Sequence, residues 1–112
     1  DHAPVKIALL NNSVYGMVRQ WQTLFYDHHY SATNLLDGEN TPDIVDVPDF
    51  VKLAEAYGAE GYRVAKLEDL ESTLRTAFAS PNTAIIDVIV ERDENVYPTV
   101  PSGASLDEML LL

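Results

Sequence analysis

The run Asn11-Asn12-Ser13-Val14-Tyr15-Gly16 holds the residue types in this chain that most directly suggest chemistry. It follows an apolar stretch and offers a neutral side-chain oxygen, free main-chain carbonyls and a glycine. Hard cations such as magnesium take oxygen ligands, and amide and main-chain carbonyls can complete an octahedron that a carboxylate and phosphates begin. Taken bare, an Asn-Asn pair after a strand is more often simply a turn.

Three other constellations compete with it. Asp27-His28-His29 resembles a transition-metal motif, but adjacent histidines on a helix or strand point apart and no third ligand stands at supporting spacing, so solvent-exposed residues are the better reading. Asp87, inside an apolar run, could be a catalytic carboxylate or could hydrogen-bond a neighbouring loop; it is read as structural. Trp21 lies among apolar residues at helical spacing, and periodicity alone makes it a core tryptophan.

These residues need elements to position them. Val5–Leu10 is apolar on both faces, as expected for a strand inside a parallel sheet covered on both sides, with a neighbour on each edge. After the Asn11-Asn12 turn, Met17, Val18, Trp21, Leu24 and Phe25 fall at helical spacing, predicting a helix over about 15–26. Residues 27–47 read as a loop, and the stretch 32–47 is longer than the usual connection. Pro48 suits a first helical turn, with Phe50, Leu53, Ala54 and Tyr57 at i, i+3, i+4 and i+7 and Gly58 as the terminating cap. A strand over 61–65 follows. A helix over 67–79 buries Leu70, Leu74, Ala77 and Phe78, then comes a strand over 84–90, and a short helix begins at Leu106. This order predicts an α/β fold, a parallel sheet with helices on both faces. In such sheets ligands sit beyond the carboxyl ends of strands, which independently nominates the Asn11-Asn12 turn.

The 112 residues allow one modest core. Eighteen acidic against 7 basic residues give a net charge of -11, which repels phosphate backbones and anionic lipid, so neither nucleic acid nor a membrane is an expected partner. With no cysteine, disulfides and thiolate metal sites are excluded and a cytoplasmic location is permitted. Asp1-His2-Ala3-Pro4 lacks a signal-peptide pattern and reads as a loop entering a strand, so the chain is expected to begin in mid-domain.

The segment from Leu9-Leu10-Asn11-Asn12 through Gly16-Met17-Val18-Arg19-Gln20-Trp21-Gln22 to Leu24-Phe25-Tyr26 closely resembles acetolactate (acetohydroxyacid) synthase catalytic subunits. So do Pro48-Asp49-Phe50-Val51-Lys52-Leu53-Ala54-Glu55-Ala56-Tyr57-Gly58, Asn95-Val96-Tyr97-Pro98 and Ser105-Leu106-Asp107-Glu108-Met109, in the same order. Gly-Met-Val with Gln-Trp-Gln one residue later is specific within the thiamine enzymes, while the Asn-Asn part is shared widely and leaves a pyruvate oxidase or glyoxylate carboligase type, or a non-catalytic module of the same fold, as alternatives. The resemblance implies that residues 1–112 are the C-terminal portion of a thiamine-diphosphate-binding domain, with the upstream domains absent. It implies decarboxylation of pyruvate on thiamine diphosphate and its joining to a second pyruvate or 2-ketobutyrate, in branched-chain amino acid biosynthesis. By the same resemblance Asn12 is a side-chain magnesium ligand and Val14 a main-chain one, Tyr15 and Gly16 line the diphosphate, Met17 lies near the reacting centre, and Met17, Val18 and Trp21 face substrate. No catalytic residue is assigned within the chain. The carboxylate magnesium ligand, the glutamate that activates the aminopyrimidine and the FAD-binding domain are expected upstream, so the chain alone is expected to be inactive. Homo-oligomeric catalytic subunits and a regulatory small subunit are the implied partners.

Overall fold

The protein's structure, a computed structural model, describes residues 3–35 and 47–111. Most of the long loop expected over 32–47 therefore lies outside the described residues. Strand β1 spans Lys6–Asn11, helix α1 Gly16–Phe25, helix α2 Phe50–Ala56, strand β2 Glu60–Val64, helix α3 Leu67–Ala79 and strand β3 Ala84–Ile89, followed by a 3₁₀ turn at Leu106–Glu108. Each expected element is present, with ends shifted by one residue or none for the strands and the two longer helices.

The three strands form one parallel sheet in the order β1-β3-β2. Moving from β1 to β2 and then back to β3 reverses direction across the sheet, so right-handed connections put α2 and α3 on opposite faces. Packing agrees. On one face Ala77 of α3 meets Val64, Ala84 and Ile86, with Tyr62, Leu70 and Val88 around them. Ile86 is fully buried there, and trimming it to alanine costs about 2–5 kcal/mol. On the other face α2 lies so close to β2 that a Cβ at Gly61 would meet the Val51 carbonyl oxygen at 2.7 Å. The last strand in sequence is thus the central strand of the sheet.

Three expectations change. Pro48 precedes the helix rather than sitting in its first turn; Asp49 is the N-cap, its side chain accepting hydrogen bonds from the Val51 and Lys52 amides at 3.2 and 3.4 Å. That arrangement satisfies donors left open by the helix start, and a proline one residue earlier loses no hydrogen bond by it. Phe78 is 68% exposed and not buried, because Ala77 takes the position facing the sheet. Strand β1, expected between two neighbours, pairs only with β3 among the described residues and leaves Val5, Ile7 and Leu10 exposed. Gly58 does end α2 in the left-handed conformation, at φ 69°.

Candidate cofactor-binding site

Two side-chain-to-backbone turns in succession build the loop after β1. The Asn11 side-chain oxygen accepts from the Ser13 amide at 3.1 Å and from its hydroxyl at 3.2 Å, and the Asn12 oxygen accepts from the Val14 amide at 3.3 Å. Such turns compete with regular backbone pairing and here reverse the chain at the strand's end. Ser13 takes φ 57°, a left-handed value that a local asparagine oxygen helps to stabilise. Val14 then bridges antiparallel to Asn34, with the Tyr15 amide donating to Thr33 and the Leu35 amide to Ser13, both at 2.9 Å.

Helix α1 starts at Gly16 and turns its polar side inward. Arg19 and Gln20 are its buried residues. The Arg19 guanidinium donates to Asp93 at 2.9 Å and to Asn34 at 2.8 Å, and lies 3.7 Å over the Tyr30 ring. Gln20 pairs with the Val96 backbone at both ends, its amide donating to the Val96 carbonyl at 2.9 Å and its oxygen accepting from the Val96 amide at 2.8 Å. Gln22 donates to the Ser31 carbonyl and accepts from the Thr33 hydroxyl. The apolar side, with Met17, Val18, Trp21 and Phe25, faces outward. Trp21 is 48% exposed and meets Phe25 edge-on at 6.4 Å, so it is no part of a core within this chain.

A cleft of about 480 Å³ opens between the turn and the helix start. It brings together Asn12, Val14, Tyr15, Gly16, Met17 and Val18, and adds Gln20, Glu94 and Val96, while Trp21 is not among its walls. Glu94 lies in an irregular stretch with no motif to mark it, whereas Gln20 and Val96 belong to the segments that resemble acetolactate synthases and carry no expected role there. The donor set suits a hard divalent cation, since Asn12 offers an amide oxygen and no hydrogen bond among the described residues engages the Val14 carbonyl. Gly16 is close against the turn: a Cβ there would stand 2.9 Å from the Asn12 amide nitrogen. Among the described residues no three His, Cys, Asp or Glu side chains group as a metal site, and His28 and His29 are exposed.

Electrostatics on the α2 side centre on Arg63, which donates to Asp87 at 3.0 Å and to Asp49 at 2.9 Å. The Lys52 amide and then Arg63 hold the Asp49 carboxyl below the usual range, against the opposing pull of burial. Asp87 in turn accepts from the Asn11 amide as well as from Arg63, so it is held by side chains of the two flanking strands rather than by a neighbouring loop as the alternative had it.

Against known proteins, residues 1–88 match the family described as thiamine pyrophosphate enzyme, C-terminal TPP binding domain. The chain belongs to that family. The cleft at the end of β1 is therefore part of a domain whose family binds thiamine pyrophosphate, the same compound as thiamine diphosphate. The chain is 43% identical over 107 residues to the mitochondrial acetolactate synthase catalytic subunit of Saccharomyces cerevisiae, covering 96% of this chain and 14% of that protein. It is 42% identical over 107 residues to the acetolactate synthase isozyme 2 large subunit of Escherichia coli, covering 96% and 18%, and 47% identical over 110 residues to an acetolactate synthase of Mycobacterium leprae, covering 97% and 17%. It thus spans less than a fifth of the length of these relatives. No helix among the described residues is long and apolar enough to cross a membrane.

Proposed function

We propose that the chain is the C-terminal portion of the thiamine-diphosphate-binding domain of an acetolactate synthase catalytic subunit. The observation that carries this is the cleft uniting Asn12, Val14, Tyr15, Gly16, Met17 and Val18, in a chain that aligns over nearly its whole length with acetolactate synthases. In this reading the Asn12 amide oxygen and the Val14 carbonyl hold magnesium, and Tyr15, Gly16 and Met17 line the bound cofactor. When bound, thiamine diphosphate supplies the electron sink for decarboxylating a 2-keto acid. The chain's own share is to seat the cofactor, to exclude water with the apolar start of α1, and to offer Met17, Val18 and Trp21 to the 2-keto acid substrates. Outside these residues the complete enzyme contributes the carboxylate magnesium ligand, the activating glutamate and an FAD-binding domain. Oligomerisation of catalytic subunits, a regulatory small subunit and a cytoplasmic site of action belong to the same proposal, as does a role in isoleucine and valine biosynthesis.

The test is Asn12→Ala in the full-length enzyme, with magnesium-dependent binding of thiamine diphosphate followed by calorimetry. Affinity is expected to fall because water must replace the amide ligand, while Val14→Ala, which keeps its carbonyl, is expected to be mild. Unchanged binding in Asn12→Ala would remove the assignment.

A further inference from the structure

Hydrogen-bonded to Asn11, next to the turn, is a carboxylate that the proposed site does not use. Asp87, in the middle of β3 and 1% exposed, divides its two oxygens between two donors from the flanking strands. Oδ1 accepts from Asn11 Nδ2 and Oδ2 from Arg63 Nε, each at 3.0 Å. Arg63 is itself tethered to Asp49 at 2.9 Å, so it is not free to follow a change at Asp87.

The Asn11 side chain has one donor end and one acceptor end, whereas a carboxylate only accepts. Asp87 can therefore face only the Nδ2 end of Asn11. That leaves Oδ1 of Asn11 pointed at Ser13, where it accepts from the amide and the hydroxyl. Ser13 stands between Asn12 and Val14 and takes a left-handed φ of 57° that few non-glycine residues adopt unaided. The polarity of one part-buried hydrogen bond thus sets which end of an amide reaches the turn, and the turn carries both oxygens of the site.

We infer that Asp87 is a positioning residue, which through the orientation of the Asn11 amide fixes the Asn12–Val14 turn for the cation and cofactor; this rests on the reading of Asn12 and Val14 given above. An amide at position 87 would have to present its oxygen to Arg63, which only donates, and so would turn its NH₂ toward Asn11. Asn11 would then have to turn over and set its own NH₂ against the Ser13 amide, donor against donor. Partners one step removed from a metal's ligands commonly change its affinity by roughly 10- to 100-fold when removed.

The experiment is a double-mutant cycle in the full-length enzyme, stripped of cofactor, with calorimetric titration of magnesium at fixed thiamine diphosphate. Asp87→Asn is expected to weaken magnesium-dependent binding by at least about tenfold. Asn11→Asp alone sets two carboxylates against each other and is expected to weaken it as well. Combining the two rebuilds every bond: the new amide at position 87 donates to the new carboxylate at position 11, which still accepts from Ser13, while the amide oxygen still accepts from Arg63. The combined variant is expected to recover most of the lost affinity. Wild-type binding in Asp87→Asn, a combined variant no better than Asp87→Asn, or tighter binding in Asn11→Asp alone each overturns the proposal. If Asp87→Asn fails to fold, Asn11→Ala keeps the Asp87–Arg63 pair and is expected to show the same loss, so unchanged binding in that variant overturns it too. An Asn12→Ala variant that binds normally in the same titration would instead remove the underlying site reading.

Discussion

Replacing Gln20 with leucine tests how the C-terminal tail is held over the cleft. Gln20 is 2% exposed and makes a two-ended pair with the Val96 backbone at 2.9 and 2.8 Å. Leucine keeps apolar bulk but loses both bonds. Each is worth about 0.5–1.5 kcal/mol net, so the loss lies between about 1 and 3 kcal/mol. Val96 is 57% exposed, and its freed amide and carbonyl can turn to water, which favours the lower half of that range. A loss of about 1–2 kcal/mol corresponds to roughly a 5- to 30-fold rise in the local opening of the tail. Hydrogen exchange at the Val96 amide should accelerate by that factor, while the amides of β3 keep their protection, because the tail opens without the sheet. Glu94 and Val96 line the cleft, so cofactor affinity should fall together with tail protection. Unchanged exchange at Val96 would refute the clamp. Equal acceleration across β3 would mean that Gln20 supports the whole fold rather than the tail.

Glu60 accepts hydrogen bonds from Asn82, Ser80 and Tyr62, which pull its carboxyl from 4.5 down to about 2. A folded value below the unfolded one makes this contribution to stability fully present above pH 4.5 and lost as pH falls toward about 2. Asn82→Ala, which removes the largest contributor, should move the carboxyl back toward the ordinary range in an NMR titration; an unmoved titration would contradict the assignment. Gly61→Ala places a Cβ 2.7 Å from the Val51 carbonyl oxygen and 2.9 Å from its Cα, so α2 must lift from the sheet. Thermal unfolding should register a loss of about 1–3 kcal/mol, and an unchanged melting temperature would show that α2 is not seated as described. In the full-length enzyme Trp21→Leu should lower the preference for 2-ketobutyrate over pyruvate as second substrate by roughly 10-fold, since one methylene in an apolar pocket is worth about 1–3 kcal/mol. An unaltered product ratio at fixed mixed substrates would remove Trp21 from the substrate site.

Where local chemistry decides, the sequence was readable. Gly58 stops α2 because a left-handed cap suits glycine, and Ala84–Ile89 is a strand because its apolar run fits both faces of a parallel sheet. The residues gathered at the cleft are contiguous in the chain, which is why the turn could be nominated from spacing at a strand's end. What failed depended on packing partners. The periodicity of Met17, Val18, Trp21 and Phe25 marks an apolar side of α1 but not where that side points, and the buried side is instead held by Arg19 and Gln20. Phe78 and Ala77 are adjacent, and only the three-dimensional placement of α3 tells which one meets the sheet. The link from Asp87 to the turn was invisible, because it joins Asn11 to a residue 76 positions away. Nothing local in either strand signals it.

The order β1-β3-β2 also bears on how the chain can fold as it is made. Both outer strands hydrogen-bond to β3 and neither to the other, so β1 and β2 emerge from the ribosome with no strand of this segment to pair with until residues 84–89 follow. Sheet formation is then a late closing event across long sequence separations, a topology that slows folding and lengthens the exposure of apolar segments such as Val5–Leu10. A stop just before Ala84 leaves β1, β2 and the three helices without the strand that joins the sheet. Such nascent chains should be substrates for chaperones that hold extended apolar polypeptide, and release should coincide with the appearance of β3.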